Sequence, residues 1–131
     1  MKRWLLILAL WLINTSAHAA GTTCDALASV VRYFPSGFAE INGVDFATVF
    51  LPQADDCWVD EAAYFCVWNL EPEYPVQEEL GRFAEDVRAC YPQFEYEPNL
   101  PEDFWVTGDG MAIYGTADPS DNSITLSIGD D

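Results

Sequence analysis

Carboxylates stand in close pairs along this chain: Asp55 and Asp56, Asp60 and Glu61, Glu71 and Glu73, Glu95 and Glu97. Two carboxyl groups are what glycoside hydrolysis needs, provided they face each other across a sugar-binding cleft and burial raises the pKa of one. These acids fall instead between hydrophobic runs, in stretches that read as loops and turns, where water keeps them ionised. Asp118-x-Ser120-Asp121-Asn122 offers oxygen ligands. It lacks the alternating acid/amide positions, the glycine and the distal Glu of a calcium loop, so it reads as a polar hairpin turn. The expectation is a protein that binds without turnover, with no catalytic residue, no metal and no cofactor.

The bases sharpen that expectation. Lys2 and Arg3 precede an apolar run over residues 4–13, and Ala17-His18-Ala19 follows in the A-x-A pattern. This is the layout of a cleavable secretory signal, too short to span a bilayer, and it sets residues 1–20 apart from a single acidic domain at 21–131. No cysteine directly follows the small residues, because Thr22 and Thr23 precede Cys24. Lipid anchoring is therefore not expected. Loss of 1–20 removes Lys2, Arg3 and His18 but no carboxylate, leaving Arg32, Arg82 and Arg88 against 22 acids, a formal charge of −19. A chain without His has no Ser-His or Cys-His couple and no imidazole metal ligand. Without Lys it has no Schiff-base amine. Such a field repels nucleic acid and anionic lipid, and it attracts a cationic partner at long range. No nucleic acid and, after signal cleavage, no membrane is therefore expected.

Cys24, Cys57, Cys66 and Cys90 all lie in the exported part, an even number in an oxidising compartment, which implies two disulfides. No C-x-x-C pair exists, so a redox or zinc-ribbon reading fails. Cys57 and Cys66 are symmetric about Glu61-Ala62, and a tight hairpin there sets them opposite each other. The preferred pairing is then Cys57–Cys66 with Cys24–Cys90, and the alternative is Cys24–Cys57 with Cys66–Cys90.

The elements that must position these residues follow from periodicity. Thr23 caps a helix in which Cys24, Leu27, Val30, Val31 and Phe34 recur at helical spacing, and Pro35-Ser36-Gly37 ends it. Asn42-Gly43 between apolar runs at 38–41 and 44–51 predicts a hairpin. A strand over 63–70 turns Tyr64, Cys66, Trp68 and Leu70 to one face and Phe65 and Val67 to the other. Both faces are apolar, so the strand is central or meets a second copy of the chain in a homodimer. Pro75, Glu78, Glu79 and a late Arg88 mark a helix to Cys90, with Val76, Leu80, Phe83, Val87 and Cys90 as its buried stripe. Glu78, Glu79, Arg82, Glu85 and Asp86 form its polar face. Residues 91–103, with three prolines, read as an extended loop. Strands are predicted at 104–107, 111–116 and 123–128. The fold class is α+β: a twisted antiparallel sheet of about five to six strands, two helices on one face, and two disulfide staples.

Two acidic segments carry aromatic side chains. Asp55, Asp56, Trp58, Asp60 and Glu61 surround the first hairpin; Glu95, Tyr96, Glu97, Glu102, Asp103 and Trp105 lie beyond the second helix. Acids with large aromatics suit a surface that meets a cationic protein, with Trp58, Tyr96 and Trp105 as anchors. With a signal over 1–20, a small disulfide-bonded mature chain and the acidic aromatic segments 55–61 and 95–105, the protein resembles periplasmic immunity proteins that neutralise peptidoglycan-cleaving type VI secretion effectors. Periplasmic lysozyme inhibitors are a related reading. The resemblance implies a periplasmic or secreted inhibitor that caps the active site of a basic toxin or lysozyme-like hydrolase. The alternative is an envelope structural or chaperone-like dimeric subunit with no enzyme target.

Overall fold

The computed structural model describes residues 21–43 and 49–131; residues 1–20, read from sequence as a signal segment, lie outside the described residues. The first helix, α1 (Cys24–Val31), is capped by the Thr23 hydroxyl, which accepts from the Ala26 N–H at 3.2 Å. It stops before Phe34, which opens a short 3-10 turn at Phe34–Ser36.

The sheet has six antiparallel strands: β1 (Asp56–Asp60), β2 (Ala63–Asn69), β3 (Glu95–Asn99), β4 (Asp103–Gly108), β5 (Met111–Asp118) and β6 (Ser123–Asp130). Their order is β1-β2-β6-β5-β4-β3, so β1 and β3 are the edges. The second helix, α2 (Val76–Cys90), crosses between β2 and β3 in sequence and packs on β4, β5 and β6. With α1 packed on α2, the architecture is α+β.

One sheet face carries the core. Tyr64, Cys66 and Trp68 of β2 lie beside Ile128, Leu126 and Ile124 of β6, and all six are buried. Phe83 of α2 meets the Trp68 indole edge-on at 4.9 Å and lies 6.5 Å from Phe104 of β4. Gly115 stands directly opposite Phe104, whose ring occupies the space a Cβ would need. Both preferred disulfides are formed. Cys57 and Cys66 are register partners with Cα atoms 4.1 Å apart, the narrow spacing of a non-hydrogen-bonded antiparallel pair. Cys24–Cys90 ties the start of α1 to the end of α2. Closing its 66-residue separation removes denatured-state freedom worth roughly 4 kcal/mol.

Three expectations change. The 38–41 stretch is not a strand: Ala39–Gly43 forms a 3-10 helix that contains Asn42 and Gly43. Phe38 and Ile41 are both buried, a spacing of three that suits a tight helical turn and not an alternating strand. Residues 44–48 of the second predicted run lie outside the described residues, and Val49 to Leu51 at its end are not strand. The proline-rich 91–103 stretch does contain a strand, β3. Pro98 is tolerated there because β3 is an edge, where a missing N–H breaks no second ladder. Finally, Glu79 is buried rather than exposed. It lies beside Phe83 and Cys90 around the helix axis, one Oε bonds the Arg82 guanidinium, and the other has no partner among the described residues.

Candidate functional site: the open face of the sheet

On the face away from α2, the pleat and the register align side chains from every strand. One row runs Trp58 (β1), Phe65 (β2), Ser127 (β6), Tyr114 (β5), Trp105 (β4), Glu97 (β3), each opposite the next. No described helix covers it. Trp58 and Phe65 stack at 5.4 Å with planes 11° apart, and Trp105 lies 4.1 Å from Tyr114 at 34°. Trp58 keeps 38% and Trp105 40% of its surface exposed, so each pair presents an indole to solvent. Ser127, Thr125 and Thr116 make a low polar floor between the two pairs.

Carboxylates frame both ends. Residues two apart on a strand share a face, which puts Asp56 and Asp60 on either side of Trp58 and Asp103 beside Trp105. Glu97 is the direct cross-strand partner of Trp105, and Glu95 that of Thr107. The Tyr114 hydroxyl donates to Asp103 Oδ2 at 3.0 Å, which holds that carboxylate against the aromatic pair. Burial pushes the Tyr114 phenol above its ordinary pKa, and the Asp103 charge adds to the rise, so Tyr114 stays a neutral donor. Among the described residues the face carries no base: Arg32, Arg82 and Arg88 all belong to α1, α2 and their ends.

The residues singled out from sequence thus divide. Asp56, Trp58, Asp60, Glu95, Glu97, Asp103 and Trp105 come together on the open face, though at opposite edges of the sheet and on strands rather than loops. Asp55 precedes β1 and accepts the Asn69 N–H at 2.6 Å, so it stitches the hairpin. Glu61 sits at the hairpin tip, where it and Ala62 both have positive φ (49° and 65°), the backbone of a two-residue turn matched to strand twist. Glu102 belongs to the β3–β4 turn, where its N–H bonds the Asn99 carbonyl. Tyr96 faces the other way: its ring lies under the Arg88 guanidinium at 4.9 Å, on the helical side, so it is not an anchor of this face. Phe65 and Tyr114 are the residues sequence reasoning missed. The two-sided apolar pattern of 63–70 carries the signal for Phe65, whereas Tyr114 becomes visible only with the β4–β5 register.

Other features take lesser roles. A hollow of about 440 Å³ opens near Val31, Phe34, Tyr91, Phe94 and Met111; Asp109 is its single carboxylate, so it holds no facing acid pair. Among the described residues no group of three or more His, Cys, Asp or Glu is placed to hold a metal, and no helix is long and apolar enough to cross a membrane. The Asp118 turn is self-contained: the Ser120 hydroxyl and N–H both donate to Asp118 Oδ1, at 2.6 and 3.0 Å. No family model, no curated protein and no solved structure matches the chain.

Proposed function

We propose that this chain is a periplasmic immunity or inhibitor protein that captures a basic toxin or cell-wall hydrolase on the open face of its sheet. The supporting observation is a sheet face with no described helix over it, on which exposed indoles stand between carboxylates with no cation among the described residues there. Aromatics supply contact area at low entropic cost, and acids supply steering and selection of a positive partner. The two disulfides fit an oxidising compartment. Blocking, rather than turnover, is the activity. The charge of −19 left after signal removal makes association fast at low salt.

The test is association with basic secreted hydrolases, by pull-down from a periplasmic extract followed by stopped-flow mixing. The association rate should fall about tenfold or more as salt rises from low to well above physiological, because the Debye length shrinks from about 30 Å at 0.01 M to about 3 Å at 1 M. Salt-independent binding, or failure to bind any cell-wall enzyme, overturns the reading. A tight dimer in sedimentation with no such partner supports the envelope-subunit alternative, in which Phe65 and Val67 of β2 meet a second copy.

A further inference from the structure

The two ends of the aromatic row are built alike. At one end Trp58 stacks on its cross-strand neighbour Phe65 and is bracketed on its own strand by Asp56 and Asp60. At the other, Trp105 packs on its cross-strand neighbour Tyr114 and is bracketed by Asp103 on its own strand and Glu97 opposite. Each is an exposed indole backed by a second ring and edged by carboxylates. That is the environment a planar cation fills on both counts: the indole face attracts positive charge, and a carboxylate at the rim accepts its N–H groups. A guanidinium fits better than an ammonium, since it stacks flat on the ring and still presents its edge donors to the acids.

Between the two ends lie only short side chains, Ser127 with Thr125 and Thr116 nearby. Trp58 and Trp105 are four strand spacings apart, roughly 19 Å at about 4.8 Å per step. We infer that the open face is a two-point arginine clamp, which takes one guanidinium on Trp58 and a second on Trp105 from a partner that presents them about 19 Å apart. This deepens the proposed function and rests on its reading of a cationic protein partner. Each clamp alone is weak, and joining them makes the second contact intramolecular, so the clamp discriminates by spacing as well as by charge.

The experiment uses the oxidised protein, exported with its own signal segment, and capped peptides carrying two arginines. A proline-rich spacer that separates the arginines by six residues spans roughly 19 Å at 3.1 Å per residue; controls carry a two-residue separation, a single arginine, or lysines. Indole N–H resonances in a two-dimensional NMR titration report each site. The buried Trp68 indole, which donates to the Pro52 carbonyl at 2.9 Å, is the internal control. The matched peptide should move the Trp58 and Trp105 signals together, leave Trp68 in place, and bind at least tenfold tighter than the single-arginine or short-spaced peptide. Lysine should weaken it severalfold, and Trp58→Ala or Trp105→Ala should reduce it to the single-arginine level. Glu97→Gln, an exposed change that leaves the core alone, should weaken only the Trp105 end.

Equal affinity for all spacings, or binding that leaves both indoles unmoved, overturns the clamp. If a basic hydrolase binds Trp58→Ala and Trp105→Ala as tightly as the natural protein, the clamp fails and acidic capture stands. If no basic protein binds in a salt-dependent way, both fail.

Discussion

The Asn122 side chain ties the β5–β6 turn to the start of α2 and the segment before it, and its removal should be costly. Its Oδ1 accepts the Val76 N–H at 3.1 Å, which satisfies one of the unpaired donors at the start of α2. Its Nδ2 lies 3.2, 3.1 and 3.2 Å from the carbonyls of Leu70, Glu71 and Tyr74. Two N–H protons therefore serve three carbonyls, and the amide makes about three effective bonds. At about 1 kcal/mol each, partly recovered by water at a half-buried site, their loss costs roughly 2–3 kcal/mol. Asn122 also has φ of 51°, a left-handed conformation that Ala adopts at roughly 1 kcal/mol expense and Gly adopts freely. Asn122→Gly should thus destabilise by about 2–3 kcal/mol and Asn122→Ala by about 3–4 kcal/mol. Asn122→Asp keeps the acceptor for Val76 but turns an anionic oxygen on three carbonyls, and should match Ala at neutral pH. Urea unfolding with unchanged m-values measures all three. Variants within about 0.5 kcal/mol of the natural protein, or Ala no worse than Gly, would refute the account of Asn122 as the joint.

Two further outcomes follow from the geometry. Gly115→Ala would drive a Cβ into the Phe104 ring, which is fully buried and lies 6.5 Å from the Phe83 ring. The variant should lose about 1–3 kcal/mol in thermal or urea unfolding, and a stability-neutral Gly115→Ala would show that the ring moves freely. The Ser120 hydroxyl holds the Asp118 carboxyl below its ordinary pKa, with backbone N–H groups of the turn adding to the effect. Because that pKa is lowered in the folded state, its contribution is present above the unfolded value near 4 and fades as pH falls through the folded one. Ser120→Ala should raise the Asp118 pKa toward the ordinary range in an NMR titration; an unmoved pKa would assign the shift to the backbone alone.

Much of this fold was legible because local and long-range demands agree. In β6 the alternation of buried and half-exposed residues is the same pattern the sequence displays, and the Cys57–Cys66 register follows from symmetry about a two-residue tip. Where the two demands diverge, local reading fails. Asn42-Gly43 is a strong hairpin signal in isolation, yet Phe38 and Ile41 bury themselves at a spacing of three and set the local backbone. The prolines near 98–101 count against a strand only if both ladders are needed, and an edge needs one. Glu79 was hidden by its chemistry: its angular position on α2 is that of a core residue. For the site, acids beside tryptophans could be read in each segment separately. Their alignment into one row depends on β2 pairing with β6, a contact across more than fifty residues that no local pattern announces.

The segregation of arginines to the helical layer has a consequence for how copies of this molecule treat one another. In that layer Arg82 and Arg88 are paired with Glu79 and Glu85, whereas the carboxylates of the open face have no described base beside them. Two copies that approach sheet to sheet bring like charge against like charge, and that repulsion opposes the contact. On the proposed reading, the acidic rim that draws a positive partner also discourages a second copy from taking the aromatic row.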